Sequence, residues 1–332
     1  MKANHLRQLP AGIKDYLFDE AKRRRNVERC LREVFEQADY REVITPTFEY
    51  LEVFGAAGRD GFHEKIYRFV DRDGNLLALR SDFTAQAARI IASKSSALNL
   101  PARIYYSGRI FRFEELHAGL SREAWQVGAE LFGQSEVDAD VEILQLVVRA
   151  FESLGIADFQ ITLGSLEFLD GIVASERLQG EVLDEIKFLL AHKDTDGLRT
   201  CLQNWRLSAK AQHALLALSE LPAASDAIEK ARRITDNARS QRAVQRLQKV
   251  SERLSRRGLN ESITIDLSET QGLGYYTGIT IKAFVHGVGY EVGSGGRYDN
   301  LLGQFGFECP AVGFSFDVDR LVASVLHQEQ ST

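Results

Sequence analysis

The chain has 332 residues, 44% hydrophobic and 27% charged, a composition that excludes disordered and fibrous classes and allows one large core with a smaller second one. With 41 basic and 47 acidic residues the formal charge is −6, so bulk electrostatics offer nucleic acid no attraction, although a local basic surface stays open. Cys30, Cys201 and Cys309 are scattered and odd in number, which suggests neither a disulfide framework nor a zinc site. They read as reduced thiols. No stretch is long and apolar enough to span a bilayer, and Met1 to Pro10 has no apolar signal-like region, so a cytoplasmic protein is expected.

The first periodic segment is 19–38, where Val27, Leu31, Val34, Phe35 and Ala38 fall at helical spacing. It carries Lys22-Arg23-Arg24-Arg25, which reads as a solvated helix face or as a nucleic-acid patch. Val43 to Phe48 reads as a strand. Its Pro46 cannot donate to a ladder, so a sheet edge or an interface is expected. Residues 66–80 read as a hairpin turning at Asp73-Gly74. A helix from about Thr84 to Ser95 has Ser81 or Asp82 as its cap. Strand runs at 103–114 and 124–133 flank a loop with Gly119, and a helix over 137–154 precedes a C-cap glycine, Gly155. From 166 to 258 aromatic residues thin out and Leu, Ala, Glu, Lys and Arg recur at helical periods, so this stretch is expected to be a helical insertion. Its segment 228–257 is strongly basic and reads as a solvated helix or as a contact for RNA or an acidic partner. Strands return at 263–267, 279–285, 288–293 and 311–316, and a helix from Val318 to Leu326 closes the pattern. The strands on either side of the helical block must share one mixed layer structure.

Two common chemistries find no support. Gly287, Gly289, Gly293, Gly295 and Gly296 lead into no Gly-Lys-Ser/Thr, so they read as tight turns rather than a phosphate loop. The seven histidines have no metal-ligand spacing. Neither a metal nor another cofactor is expected.

What the chain does contain is an ordered series of segments. Residues 271–278 read Gln-Gly-Leu-Gly-Tyr-Tyr-Thr-Gly, close to the Arg-Gly-Leu-Asp-Tyr-Tyr-Thr-Gly signature of histidyl-tRNA synthetases. Pro10 to Leu17 is similar to that family's N-terminal loop, and Tyr40 to Pro46 to class II motif 1, whose proline marks the family's dimer interface. Leu79-Arg80-Ser81-Asp82-Phe83-Thr84 resembles its Leu-Arg-Pro-Glu-x-Thr segment. Phe111 to Glu114 and Gln126 to Glu130 resemble the two arms of motif 2; Gly295-Gly296-Arg297-Tyr298-Asp299 matches a further segment, and Ala311 to Leu321 looks like motif 3. Taken singly, each residue would more often be packing or a surface ion pair. The resemblance lies in their order.

The resemblance implies a class II aminoacyl-tRNA synthetase-like core of α/β (α+β) type, a mixed, mostly antiparallel sheet flanked by helices. That core would comprise 1–165 and 259–332, with 166–258 as the insertion. It implies a histidine pocket in which Asp82, Thr84 and Gln126 receive the ammonium. Glu130 and Tyr275 or Tyr276 would hold the imidazole, and Arg112 and Gln271 would face the carboxylate. The departures are informative. The family's activating arginine is Gln271, and losing one such donor costs roughly 10²–10³-fold in rate before the lost charge is counted. Glu115 and Leu120 stand where further arginines are expected, and Asp317 replaces a glycine where a polyphosphate would pass. Arg122 is kept, and Arg320 could stack on a purine. The sequence ends just after motif 3, so no anticodon-binding domain is expected and tRNA is an unlikely partner. A synthetase-like core with these losses resembles the regulatory subunits of ATP phosphoribosyltransferase. That resemblance implies a non-catalytic homodimer within a hetero-oligomer with the short-form catalytic subunit, supporting the first step of histidine biosynthesis with histidine as feedback effector. The alternative is a truncated enzyme that activates histidine or modifies another acceptor.

Overall fold

The computed structural model describes residues 5–57, 65–113, 121–176, 178, 180–224, 226–259, 262–270 and 274–331. Helix α1 (Phe18–Gln37) precedes strands β1 (Arg41–Glu42) and β2 (Phe48–Tyr50), helix α2 (Leu51–Ala57), the hairpin β3 (Arg68–Val70) with β4 (Leu76–Leu79), and helix α3 (Thr84–Ser93). Two long strands, β5 (Ala102–Phe111) and β6 (Glu123–Phe132), lead into α4 (Val137–Ser153) and β7 (Phe159–Ser165). Six helices follow: α5 (Leu166–Val173), α6 (Glu181–Ala191), α7 (Thr195–Asn204), α8 (Ala209–Ser219), α9 (Ala227–Ile234) and α10 (Ala238–Ser255). The chain then returns through β8 (Ile263–Ile265), β9 (Ile279–Val285), β10 (Gly293–Arg297) and β11 (Ala311–Asp317) to helix α11 (Val318–Ser331).

The main sheet runs β1-β5-β6-β11-β10-β9-β7-β8. Only the edge pairs β1–β5 and β7–β8 are parallel; the interior is antiparallel. This is the mixed, mostly antiparallel sheet expected for a class II synthetase-like core. A small sheet, β2-β4-β3, stands apart and leaves Ile44, Phe48, Tyr50 and Val70 exposed beside it. Helix α4 is apolar on more than one face because it is covered on more than one side, by the sheet, α1 and α10. Its Phe151 has no exposure, stacks on Phe159 at 4.6 Å and meets Phe316 edge-on at 5.7 Å. The same apolar cluster continues into the helical block through Leu198, Leu215 and Leu247.

The structure corrects four readings. Residues 43–48 do not form one strand: β1 ends at Glu42 and β2 begins at Phe48, with Pro46 in the break. The strand expected at 288–293 is instead Gly293–Arg297, so Gly293, Gly295 and Gly296 are strand residues, while Gly287, at φ +80°, and Gly289 lie in the connection between β9 and β10. A Cβ on Gly295 would come within 2.2 Å of the Gly313 carbonyl, so glycine here serves close strand approach. Arg24 is not on a solvated face: its guanidinium pairs with Asp319 at 2.9 Å and lies 4.1 Å from the Tyr16 ring centroid. In the basic stretch, which is otherwise largely solvated, Arg246 departs from the expectation, covered and paired to the buried Asp140, while Arg239 and Arg253 pair with Asp170 and Asp138 yet remain about two-fifths exposed.

Truncating Phe151 would open a cavity at the junction of α4 with the sheet. Phe151→Ala is expected to destabilise the protein by about 3–5 kcal/mol, read from equilibrium urea unfolding.

Candidate functional site

The site grows from the pairing of β6 with its neighbours. In the antiparallel register Glu130 lies opposite Gly313 of β11, and Gly128 lies opposite Tyr106 of β5. Both glycines are required. A Cβ at Gly313 would lie 1.5 Å from Glu130 Oε2, and one at Gly128 would lie 2.6 Å from the Tyr106 hydroxyl. The space they leave admits a carboxylate and a phenol into the layer above the sheet.

Glu130 is 1% exposed and receives three hydroxyls. Thr84 Oγ1 donates to Oε1 at 2.8 Å, Tyr106 to the same oxygen at 3.0 Å, and Tyr298 to Oε2. Tyr106 is held by stacking on Phe83 at 4.4 Å, and the Arg80 guanidinium lies 4.3 Å from the centroid of that ring. Asp82, also 1% exposed, receives the first turn of α3 through Ala85 N–H to Oδ1 at 3.2 Å. Phe83 occupies the N-cap position itself, and Asp82, one residue earlier, supplies the acceptor for the first turn. Removal from water raises the carboxyl pKa of both acids, and for Glu130 the value moves from 4.5 to about 7. The three hydroxyls pull the Glu130 value back, and Asp82 pushes it further up. Arg112 lowers the Asp82 value while donating Nε–H to the Ser81 carbonyl at 2.7 Å.

Beside this cluster is a cavity of about 310 Å³, at the small end for ligand pockets. Arg112, Gln126 and Tyr276 line it, together with Thr280, Lys282, Glu291, Ser315, Asp317 and Arg320. Asp82, Thr84, Glu130 and Tyr275 are not in its wall. They adjoin it through the Tyr275 ring, 5.1 Å from that of Tyr276. Gln271 lies outside the described residues, as do Glu114, Glu115, Gly119 and Leu120. Among the described donors only the Tyr298 hydroxyl reaches Glu130 Oε2, which leaves a lone pair on that oxygen for an imidazole N–H.

Two patterns of charge and hydrogen bonding define what the site can accept. Two buried acceptors, Asp82 Oδ2 and Gln126 Oε1, and two buried hydroxyls able to donate or accept, those of Thr280 and Tyr275, have no partner among the described residues. The last approaches Thr84 without the geometry of a hydrogen bond. Such groups call for a ligand rich in donors. Two cations of the cavity, Lys282 and Arg320, already face the chain's own acids. Lys282 Nζ is 2.9 Å from Glu269 and 3.6 Å from Glu291, and Arg320 Nε is 3.5 Å from Asp317. Arg320 also donates to the Glu291 carbonyl at 2.6 Å and lies 5.2 Å from the Tyr290 ring. Asp317, expected to repel a polyphosphate, has a structural task as well: Oδ1 accepts the Asp319 and Arg320 amides at 3.0 and 3.1 Å and caps α11. Among the described residues no cluster of His, Cys, Asp or Glu could hold a metal ion.

Sequence reasoning missed Tyr106, Tyr298 and Thr280. Tyr298 stands in the Gly-Gly-Arg-Tyr-Asp segment but was given no role there. Tyr106 could have been found from strand alternation, since Ile104, Tyr106 and Gly108 share one face of β5. That its hydroxyl crosses to Glu130 depends on register.

The histidyl-tRNA synthetase family model matches residues 12–321. A Geobacter sulfurreducens protein named ATP phosphoribosyltransferase regulatory subunit is 39% identical over 318 residues, which is 96% of this chain and 73% of that protein. A Moorella thermoacetica protein of the same name is 38% identical over 322 residues, 97% of this chain and 83% of that one. Among solved structures, a Bacillus halodurans ATP phosphoribosyltransferase regulatory subunit/histidyl-tRNA synthetase superposes with a TM-score of 0.86 at 28% identity, over 96% of this chain and 83% of that one. A histidyl-tRNA synthetase from Nostoc shares the fold, with a TM-score of 0.80 at 22% identity over 97% of this chain and 76% of that one.

The raised pKa of Glu130 has a consequence for stability. Between 4.5 and about 7 the folded chain holds a proton that the unfolded chain has released, so this group's contribution declines as pH rises through that window. Glu130→Gln is expected to flatten that slope in urea midpoints measured from pH 4 to 8. Gly313→Ala is expected to displace the Glu130 carboxylate and cost about 1–3 kcal/mol by overpacking, read from the same unfolding curves.

Proposed function

Since the chain belongs to the family of ATP phosphoribosyltransferase regulatory subunits, which is built on the histidyl-tRNA synthetase fold, we propose that it binds free histidine as an effector and performs no aminoacylation. The observation that carries this reading is that, among the described residues, buried acceptors go without partners while Lys282 and Arg320 face acids. Unpartnered buried acceptors and two buried carboxylates favour an amino acid with an ammonium and an imidazole. The cavity's Lys282 and Arg320 face Glu269, Glu291 and Asp317, which makes it a poor host for a polyphosphate. With Gln271 in place of the activating arginine, the carboxylate of bound histidine would have no fixed cation at that position to help it attack an α-phosphate.

In this role the chain assembles with a short-form ATP phosphoribosyltransferase catalytic subunit in the cytoplasm, supports the first step of histidine biosynthesis, and relays feedback. Histidine inhibits by favouring one state of the complex over another. The chain pairs with a second copy through the segment around Pro46, where Ile44, Phe48, Tyr50 and Val70 present an exposed apolar surface. The Arg239, Arg246 and Arg253 ion pairs weaken the case for an RNA-binding module, because those side chains are held by the chain's own aspartates.

The test uses the assembled complex. Glu130→Ala is expected to weaken histidine inhibition at least tenfold while the complex still co-purifies, and inhibition equal to wild type would sink the assignment. ATP–pyrophosphate exchange with histidine should stay at background in the wild-type chain; a rate like that of a synthetase would overturn the non-catalytic reading.

A further inference from the structure

Outside the cavity, Asp140 on α4 is the most deeply placed charge that the proposed chemistry does not use. It has no exposure, and both of its oxygens are engaged. Oδ1 accepts Arg297 Nε–H at 2.8 Å, with Nη2 of the same guanidinium 2.7 Å away. Oδ2 accepts Arg246 Nε–H at 2.6 Å. Arg246 belongs to α10 in the helical block and also donates to the Ser135 carbonyl at 2.8 Å. One carboxylate thus joins α4, β10 and the helical block.

Arg297 is the link to the site. It is 2% exposed, and besides Asp140 its guanidinium donates to the Gln134 carbonyl at 3.1 Å and to Asp299 at 2.9 Å. Its own carbonyl accepts the Thr277 amide at 2.8 Å, and Asp299 N–H donates to Thr277 Oγ1 at 3.0 Å. Arg297 therefore fixes the turn that carries Tyr275 and Tyr276. The next residue, Tyr298, donates to Glu130. On the other side, Arg246 is the middle of three arginines spaced seven apart on α10, two helical turns each, all paired to aspartates of α4 or α5. Arg239 and Arg253 make pairs that do not reach Arg297.

We propose that Arg246 is a positioning residue: through Asp140 and Arg297 it sets the placement of Tyr298 and the Tyr275–Thr277 turn, and through the same contacts it carries their displacement on ligand binding into α10. A buried carboxylate cannot lose a partner cheaply, so a shift of Arg297 that follows Tyr298 must be answered by Arg246 or by α4. Coupling of this kind requires an element that both sites bias, and the shared carboxylate is that element. The inference rests on histidine filling the pocket.

Hydrogen exchange of the full chain with and without L-histidine tests it, with calorimetry alongside. In wild type, histidine is expected to slow exchange in α10 peptides by about threefold or more. Arg246→Gln leaves Asp140 its Arg297 partner. It should bind histidine within about fivefold of wild type and lose the α10 response; Arg246→Lys, which returns a cation, should recover part of it. Arg239→Gln, which breaks a pair outside the triad, should keep the full response. An undiminished α10 response in Arg246→Gln overturns the inference, as does a wild-type α10 indifferent to bound histidine, an arm that needs no variant. Absence of any binding heat in wild type instead overturns the pocket reading, and the inference falls with it.

Discussion

A carboxylate removed from water needs donors, and much of this architecture serves Glu130. Its three hydroxyls come from α3, β5 and the residue after β10, elements far apart in the chain. They meet only because β6 lies between β5 and β11, and because Gly128 and Gly313 leave the layer above the sheet open. Such a network stiffens its surroundings when every member is satisfied and is costly when one is not. Here both oxygens of Glu130 accept hydrogen bonds, while Asp82, Gln126 and Tyr275 keep atoms with no partner among the described residues. The cluster is a rigid acceptor surface with open positions, which suits the recognition of a small donor-rich molecule.

The same fold that activates amino acids in synthetases is turned here toward a family of regulatory subunits. Within the cavity, acids stand next to the cations. Glu269 and Glu291 hold Lys282, and Asp317 both caps α11 and faces Arg320. A carboxylate with a structural task cannot readily step aside for a phosphate. The acids around Lys282 and Arg320 lower the positive potential that an anion in the cavity would meet.

Much of the layout was legible beforehand because it depends on local pattern. The hairpin at Gly74, the helix ended by Gly155 and the long strands β5 and β6 follow from turn chemistry and periodicity, which neighbours in sequence determine. The failures have one cause. Gly293, Gly295 and Gly296 read as turns because glycine is a breaker in isolation, whereas in the sheet they permit β10 to lie close against its neighbours. Arg24 and Arg246 read as solvated charges because their partners, Asp319 and Asp140, are 295 and 106 residues away. Nothing local announces a long-range ion pair.

By itself, then, the order of residues determined the family, the class of core, the alternation of strands with helices, and which side chains could bear charge near a ligand. Those are properties of spacing and residue type, and they survive without knowledge of packing. The tertiary structure decided which of those side chains share a cavity, which cations are already matched, and that one aspartate on α4 joins the helical block to β10. Pairing register and burial settle such matters, because a charge's partners and its exposure exist only once distant segments have been brought together.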